Sequence, residues 1–135
     1  MVSSRTTSPS ILIVDDDLAL VAFLTTRLEY EPGFRVAGFA TDSAEAIDLA
    51  RAIRPDIIIS DYDLPDAEGL SLVQCLRVAA PDAAIVLYTA VWSTSLERAA
   101  RLSGADDCLD KTTPPRVLVQ ALRDAYQARA EAISA

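Results

Sequence analysis

A chain of 135 residues, 51% of them hydrophobic and 24% charged, has the size and composition of one domain with one core. The net charge of −8 repels nucleic-acid backbones and anionic membrane surfaces, and no apolar run approaches the roughly 20 residues of a membrane span. We therefore expect a soluble protein that by itself binds neither nucleic acid nor membranes.

Histidine is absent from the sequence, which removes the usual zinc ligand, the usual general base and any phosphohistidine relay within the chain. The two cysteines, Cys75 and Cys108, each lie in an apolar run, and we expect both to be small core residues. Such cysteine usage indicates the reducing cytoplasm. Residues 1–9 are rich in Ser, Thr and Pro and lack the apolar stretch of a secretory signal, so we expect a flexible tail before a domain of residues 10–130.

From residue 10 onward the pattern alternates between strand-like and helix-like segments, as in α/β proteins with a parallel sheet. Residues 11–14 form a continuous apolar run, which suits a strand covered on both faces. The helix after them ends at residues 31–33. Its predicted buried stripe comprises Leu20, Phe23, Leu24 and Leu28. Residues 34–40 mix apolar positions with Arg35, which predicts an edge strand with one partly solvated face.

The second helix begins at Asp42, and Glu45 three residues later is typical of a capping box. Its predicted buried face comprises Ala46, Leu49, Ala50 and Ile53. Pro55 ends the helix. The β-branched run 57–59 is the most apolar of the chain, so we place this third strand near the centre of the sheet. The loop of residues 61–69 is long for a compact α/β domain, which favours a functional role.

The next part of the chain predicts a third helix, a fourth strand, a fourth helix and a fifth strand. The buried residues of the third helix are Leu72, Val73 and Leu76. Strand four covers residues 84–88, and strand five covers residues 107–109. The helix between them, residues 93–103, ends at Gly104 in a left-handed conformation.

The last helix opens at Pro114 and Pro115, where proline loses no helical hydrogen bond. Its sheet-facing stripe comprises Leu118, Ala121, Leu122 and Ala125. The remainder, residues 131–135, is expected to fray. Five strand–helix units without a repeat or a linker therefore predict one α/β domain.

Residues suited to phosphate chemistry follow four of the five predicted strands: Asp15, Asp16, Asp61, Thr89 and Lys111. Because the carboxyl ends of parallel strands meet at one edge of a sheet, we expect these side chains to converge there. Two carboxylates at about 4 Å repel each other by about 4 kcal/mol at an effective dielectric constant near 20, a conflict that a divalent cation resolves. The sequence therefore predicts an all-oxygen Mg²⁺ site of three carboxylates, a backbone carbonyl and water.

A carboxylate at such a site can attack a phosphoryl group and form an aspartyl phosphate. Asp61 is the best candidate because it follows the most buried strand. Lys111 supplies a cation to the phosphoryl oxygens, Thr89 supplies a hydroxyl donor, and the small Ala90 leaves room for its backbone N–H to donate. Taken alone, aspartates before a helix are more often caps than metal ligands, and Asp17 fits that role.

Four segments resemble, in order along the chain, the receiver domain of bacterial response regulators: ILIVDDD (11–17), PDIIISDYDLP (55–65) with Gly69, YTA (88–90) and GADDCLDK (104–111). The resemblance spans residues 10–130. It implies a flavodoxin-like three-layer sandwich, in which five helices flank a doubly wound five-stranded parallel sheet of order 2-1-3-4-5. The five strand–helix units counted from the sequence agree with that fold.

The resemblance also implies a role for each residue of the site. Asp61 is implied to be the phosphoacceptor. The implied metal site, for Mg²⁺ or for Mn²⁺ in its place, comprises Asp15, Asp16, Asp61 and the main-chain carbonyl of Asp63. The implied phosphoryl-binding and switch residues are Thr89, Ala90 and Lys111.

Three positions depart from the pattern of this family, and one of them is Thr112, which follows Lys111 where the family usually has Pro. The family often has an aromatic switch residue three positions before the lysine, and here Cys108 stands there as an atypical switch position. Asp110 stands where an apolar residue is usual, and we expect it to compete for the charge of the adjacent Lys111. Cys108 lies in the fifth predicted strand, and Asp110 directly follows it.

The implied function is a signalling switch rather than an enzyme, with a sensor histidine kinase or phosphotransfer protein donating a phosphoryl group to Asp61. The surface of predicted helix four, strand five and helix five then contacts a downstream protein or output domain, and the family leaves room for a homodimer through helices four and five. Two alternatives stay open. One is a receiver-like binding module that is never phosphorylated, and the other is a haloacid-dehalogenase-like phosphatase with Asp61 and Asp63 as its paired aspartates.

Overall fold

The computed structural model describes residues 8–134 of the chain. Residues 1–7 of the predicted tail therefore lie outside the described residues. Its last residue is bonded to the fold, because the Pro9 carbonyl accepts a hydrogen bond from the Arg35 N–H at 3.0 Å. Among the described helices, none combines the length and the apolar character that crossing a bilayer requires.

Strands and helices alternate through residues 8–134 as predicted, with two short strands added. The strands are β1 (Ser10–Val14), β2 (Arg35–Ala40), β3 (Ile57–Asp61), β4 (Asp63–Leu64), β5 (Ala67–Glu68), β6 (Ala84–Thr89) and β7 (Asp107–Asp110). The helices are α1 (Leu18–Tyr30), α2 (Ser43–Ile53), α3 (Gly69–Ala79), α4 (Thr94–Ser103) and α5 (Pro115–Ser134).

Five parallel strands form the main sheet in the order β2-β1-β3-β6-β7. Since β4 and β5 form a separate antiparallel hairpin, β6 and β7 are the fourth and fifth strands of this sheet. The predicted order 2-1-3-4-5 is thus confirmed. Every residue of β3 is buried at the centre, whereas the edge strand β2 exposes Arg35 and Phe39.

The sheet separates two apolar layers, which makes the fold a three-layer sandwich. Alternate side chains of a strand face opposite sides. Leu12 and Ile58 pack with α2 and α3, whereas Ile11 and Ile57 pack with α1 and α5. Burying an aliphatic side chain of this size stabilises the fold by roughly 1.5–3 kcal/mol. The strands are therefore a rigid support for the residues at their carboxyl ends.

Two residues that the sequence places in the core are exposed. Phe23 has 52% of its surface accessible although the adjacent Leu24 is buried. Cys75 is exposed although the adjacent Leu76 is buried. Neighbouring residues of a helix stand about 100° apart, so a side chain next to a buried leucine turns away from the sheet. The buried stripe of α1 instead comprises Val21, Leu24 and Leu28.

The helix ends follow the predicted capping residues. The Asp42 carboxylate accepts a hydrogen bond from the Glu45 N–H at 2.8 Å, at the start of α2. Gly104 ends α4 in the left-handed region with a φ of +119°. Helix α5 continues to Ser134, and its exposed residues 131–134 are helical in the structure, so fraying of this end stays a prediction.

Candidate functional site

The structure brings the polar residues of the strand ends together at one edge of the sheet. Asp15 follows β1, Asp61 and Thr89 are the last residues of β3 and β6, and Lys111 follows β7. Asp15, Asp61 and Thr89 expose no more than 6% of their surface, whereas Asp16 is exposed. This edge therefore combines buried carboxylates with an opening to solvent beside Asp16.

Lys111 joins two of the carboxylates. Its Nζ lies 2.9 Å from Asp15 Oδ2 and 3.1 Å from Asp61 Oδ1. The backbone N–H of Lys111 donates to the Thr89 carbonyl at 2.8 Å, and its carbonyl accepts from the Tyr88 hydroxyl at 3.2 Å. Because both the N–H and the carbonyl of Lys111 are hydrogen-bonded to β6, its ammonium group is held toward the carboxylates.

Three carboxylates of this edge can share one cation. Asp15, Asp16 and Asp61 each offer an oxygen within 4.8 Å of the other two. Ligands of an octahedral Mg²⁺ stand about 2.9 Å apart when adjacent and about 4.2 Å apart when opposite, so the three carboxylates would draw together around a divalent cation. Asp15 is oriented by the Asp17 N–H, which donates to it at 2.9 Å, and Asp17 caps α1 as predicted.

Burial and charge act in opposite directions on the site. Burial raises the pKa of Asp61, and the Asp15 carboxylate raises it further, while Lys111 and the Asp63 backbone lower it. Burial opposes the charge of Lys111, yet its hydrogen bond and attraction to Asp15 and the similar contacts with Asp61 raise its pKa above the ordinary value. The lysine is therefore charged at neutral pH, and it favours the ionised form of Asp61.

Thr89 and Ala90 lie beside the central carboxylate. Because β6 is the direct neighbour of β3, with Tyr88 paired to Asp61, Thr89 stands one residue beyond the carboxylate level. Its Oγ1 accepts the Val91 N–H at 3.0 Å, and a hydroxyl that accepts in this way keeps its proton for another oxygen. Ala90 is the first exposed residue after β6.

The loop predicted for residues 61–69 is an ordered β-hairpin. Asp63 pairs with Glu68, and Leu64 pairs with Ala67. Strands of two residues are too short for an alternating pattern to predict them. The exposed Asp63 thus belongs to a paired strand directly after the Asp61 strand, and its part as a carbonyl ligand stays a prediction.

Cys108 lies in the core, as the sequence predicts for this cysteine. Burial raises the pKa of its thiol to about 11. Its carbonyl accepts a hydrogen bond from the Trp92 indole Nε1 at 3.1 Å. Trp92 keeps 41% of its surface exposed and connects the segment after β6 to β7.

Asp110 does not compete for the charge of Lys111, contrary to the prediction. Its carboxylate instead accepts hydrogen bonds from the N–H and the hydroxyl of Thr112, each at 2.7 Å. These bonds lower the pKa of Asp110 and satisfy its charge within the turn. An aspartate two residues before a Thr favours this local contact over a neighbouring side chain.

Comparisons with known proteins agree with this arrangement. Residues 11–123 match the family described as response regulator receiver domain. The transcriptional regulatory protein PrrA of Mycobacterium tuberculosis is 38% identical over 109 residues, which are 78% of this chain and 44% of PrrA. The chemotaxis protein CheY of Thermotoga maritima is 30% identical over 111 residues, which are 82% of this chain and 92% of CheY. The chain thus spans less than half the length of PrrA but nearly all of CheY.

A solved structure shares the whole architecture. The CheY-like receiver domain protein of Methanospirillum hungatei superposes with a TM-score of 0.84 at 26% identity, over 93% of this chain and 98% of that protein. The similarity therefore extends over the fold as a whole.

Proposed function

This chain belongs to the response regulator receiver domain family, and on that premise we propose that it accepts a phosphoryl group on Asp61 from the phosphohistidine of a partner kinase or phosphotransfer protein. The observation that carries the proposal is the position of the Lys111 ammonium group, bridging Asp15 and Asp61 at 2.9 and 3.1 Å. A lysine between two buried carboxylates is placed to bind an anion that forms on one of them.

In the proposed step, a carboxylate oxygen of Asp61 forms a bond to phosphorus. The phosphorus–nitrogen bond of the phosphohistidine breaks, and its electron pair returns to the imidazole nitrogen, which takes up a proton. Lys111 keeps Asp61 ionised for this attack and then donates to a phosphoryl oxygen, as do the Thr89 hydroxyl and the Ala90 N–H.

The acidic cluster supports a divalent cation as the cofactor. Asp15, Asp16, Asp61 and the main-chain carbonyl of Asp63 would hold Mg²⁺, or Mn²⁺ in its place. When bound, the cation supplies positive charge against the negative oxygens of the phosphoryl group. The partly buried Lys111 by itself balances one of the three carboxylates, so a second cation is electrostatically favoured.

The phosphoryl group is proposed to act as a switch rather than to be turned over as a substrate. The aspartyl phosphate carries about two negative charges where the Asp61 carboxylate carried one, and its oxygens draw Lys111 and Thr89 toward it. The hydrogen bond from the Val91 N–H to Thr89, which connects this residue to the segment before α4, then breaks. We therefore place the output surface on α4, β7 and α5, where a downstream protein, an output domain or a second copy of the chain binds.

Two single variants test the proposal. The protein is incubated with Mg²⁺ and acetyl phosphate, and the added phosphoryl mass is measured together with Trp92 fluorescence. Asp61→Asn is expected to abolish both responses. Asp63→Asn is expected to keep them, because only the main chain of Asp63 is used, whereas a phosphatase with Asp63 as its general acid would lose activity.

The opposite results are equally clear. A wild-type protein that gains no phosphoryl mass would leave the phosphorylation-independent binding module as the better reading. Repeated turnover of a phosphate ester would favour the phosphatase.

A further inference from the structure

The hairpin of β4 and β5 is attached at its turn to a second element. Asp66 lies in this turn, and the Ser43 N–H donates to its Oδ1 at 2.9 Å and to its Oδ2 at 3.2 Å. The Ser43 hydroxyl donates to Oδ2 at 2.6 Å. Ser43 is the first residue of α2 and lies 23 residues before Asp66 in the sequence. These bonds therefore join the hairpin to α2.

The anchor of this contact is well fixed. The first N–H groups of a helix lack partners within the helix and attract an anion, a place that Asp66 takes at α2. The Ser43 hydroxyl and N–H lower the pKa of Asp66, with the Ala44 backbone adding to the effect. Helix α2 is itself held by the fully buried Ala46 and Ala50. The turn of the hairpin is therefore bound to a helix that packs against the core.

The base of the hairpin is held by a close contact of a different kind. A Cβ atom at Gly69 would lie 2.6 Å from both the Cα and the carbonyl oxygen of Tyr62. Only glycine lets the two ends of the hairpin approach this closely. Between base and turn lies Asp63, whose backbone is close enough to the Asp61 carboxylate to lower its pKa.

We propose that Asp66, acting through Ser43, is a positioning residue that holds the Asp63 main chain in place for metal binding and phosphoryl transfer at Asp61. The inference rests on the proposed function. Asp66 stands outside the acidic cluster of Asp15, Asp16 and Asp61, so its proposed effect on the site is indirect. If the bonds to Ser43 are removed, the hairpin keeps its base but loses its fixed turn, so the Asp63 carbonyl is no longer held toward the cation.

Metal affinity tests this role with a matched control. Free Mn²⁺ is counted by electron paramagnetic resonance during titration of the whole chain. Asp66→Ala is expected to weaken Mn²⁺ binding about tenfold, at the low end of what outer contacts of metal ligands contribute. Asp42→Ala removes a cap from the same end of α2 without touching the hairpin, and it is expected to keep the wild-type affinity within about twofold.

The phosphorylation reaction gives a second readout that a loss of stability would not produce. For Asp66→Ala, the Mg²⁺ concentration at half-maximal rate with acetyl phosphate rises about tenfold, while the maximal rate stays within about twofold of wild type. Ser43→Ala, which keeps the N–H bond, gives a smaller rise, and adding it to Asp66→Ala weakens binding no further.

The results separate the inference from the proposed function. If the wild-type protein binds Mn²⁺ and is phosphorylated but Asp66→Ala matches Asp42→Ala, the positioning role is wrong and the proposed function stands. If the wild-type protein neither binds Mn²⁺ nor gains phosphoryl mass, both are wrong. If Asp66→Ala does not fold, an unchanged Mn²⁺ affinity of Ser43→Ala overturns the positioning role.

Discussion

Replacing Lys111 with methionine removes the cation between Asp15 and Asp61. These carboxylates each have an oxygen within 4.8 Å of the other, and at an effective dielectric constant near 20 they repel each other by at least about 3.5 kcal/mol. The lost attractions, at 2.9 and 3.1 Å, are about 5.5 kcal/mol each by the same relation, and release of the lysine from partial burial offsets much of them. We expect the free energy of unfolding to fall by about 3 kcal/mol at neutral pH without divalent cations.

The effect of Lys111→Met depends on pH with a defined sign. Burial and Asp15 raise the pKa of Asp61 in the folded protein, and Lys111 lowers it, so the variant raises this pKa further. A carboxyl group whose pKa is raised by folding favours the folded state at low pH, and this contribution is lost as pH rises through the folded-state pKa. The stability difference between the proteins is therefore smallest in acid and grows toward neutral pH.

Urea unfolding followed by far-UV circular dichroism, in EDTA, measures this difference. The double variant Lys111→Met with Asp61→Asn is expected to regain more than half of the lost stability, because the repulsion is gone. Lys111→Arg, which keeps a cation, is expected to lose less than the methionine variant. A loss below about 1 kcal/mol for Lys111→Met, or no gain from Asp61→Asn, would refute the electrostatic reasoning.

Three further predictions concern other parts of the fold. Gly69→Ala forces a Cβ against the Tyr62 backbone, and urea unfolding should show a loss of about 1–3 kcal/mol, so an unchanged midpoint contradicts the close contact. Arg77→Met removes an ion pair with Asp106 at 2.8 Å and hydrogen bonds to nearby carbonyls. Calorimetry should show a loss of about 2 kcal/mol in the free energy of unfolding, and an unchanged Tm would contradict a stabilising role of Arg77. Iodoacetamide should modify the exposed Cys75 in the native protein. The thiol of the buried Cys108 has a pKa raised to about 11 and should react only slowly below that pH, so equal reaction rates of the two cysteines would contradict the burial of Cys108.

The parallel strands and the convergence of their polar ends could be predicted from residue patterns, whereas the strand order followed only from the resemblance to receiver domains. Apolar β-branched runs such as residues 57–59 are strong strand signals, and the ends of parallel strands meet at one edge by geometry. Asp15, Asp61 and Lys111 therefore needed no knowledge of distant contacts to be placed together.

The details that the sequence did not predict depend on contacts far apart in the chain or on small rotations. The exposure of Phe23 and Cys75 follows from a turn of about 100° on a helix, which a list of apolar residues does not resolve. The bond between Asp66 and Ser43 joins positions that become neighbours only when the hairpin packs on α2. A Pro-Asp turn followed by glycine, with a Ser at a helix start elsewhere, is the signal that would have raised the question.

The hydrogen bond from Trp92 to β7 ends on a carbonyl oxygen, not on a side chain. Every residue type has this carbonyl, so exchange of Cys108 for alanine or valine keeps the bond as long as the buried space is filled. Exchange of Trp92 removes it, because no other side chain offers an indole N–H. During evolution, mutations at position 108 can therefore accumulate without breaking this hydrogen bond. A single amino-acid exchange at position 92 would break it.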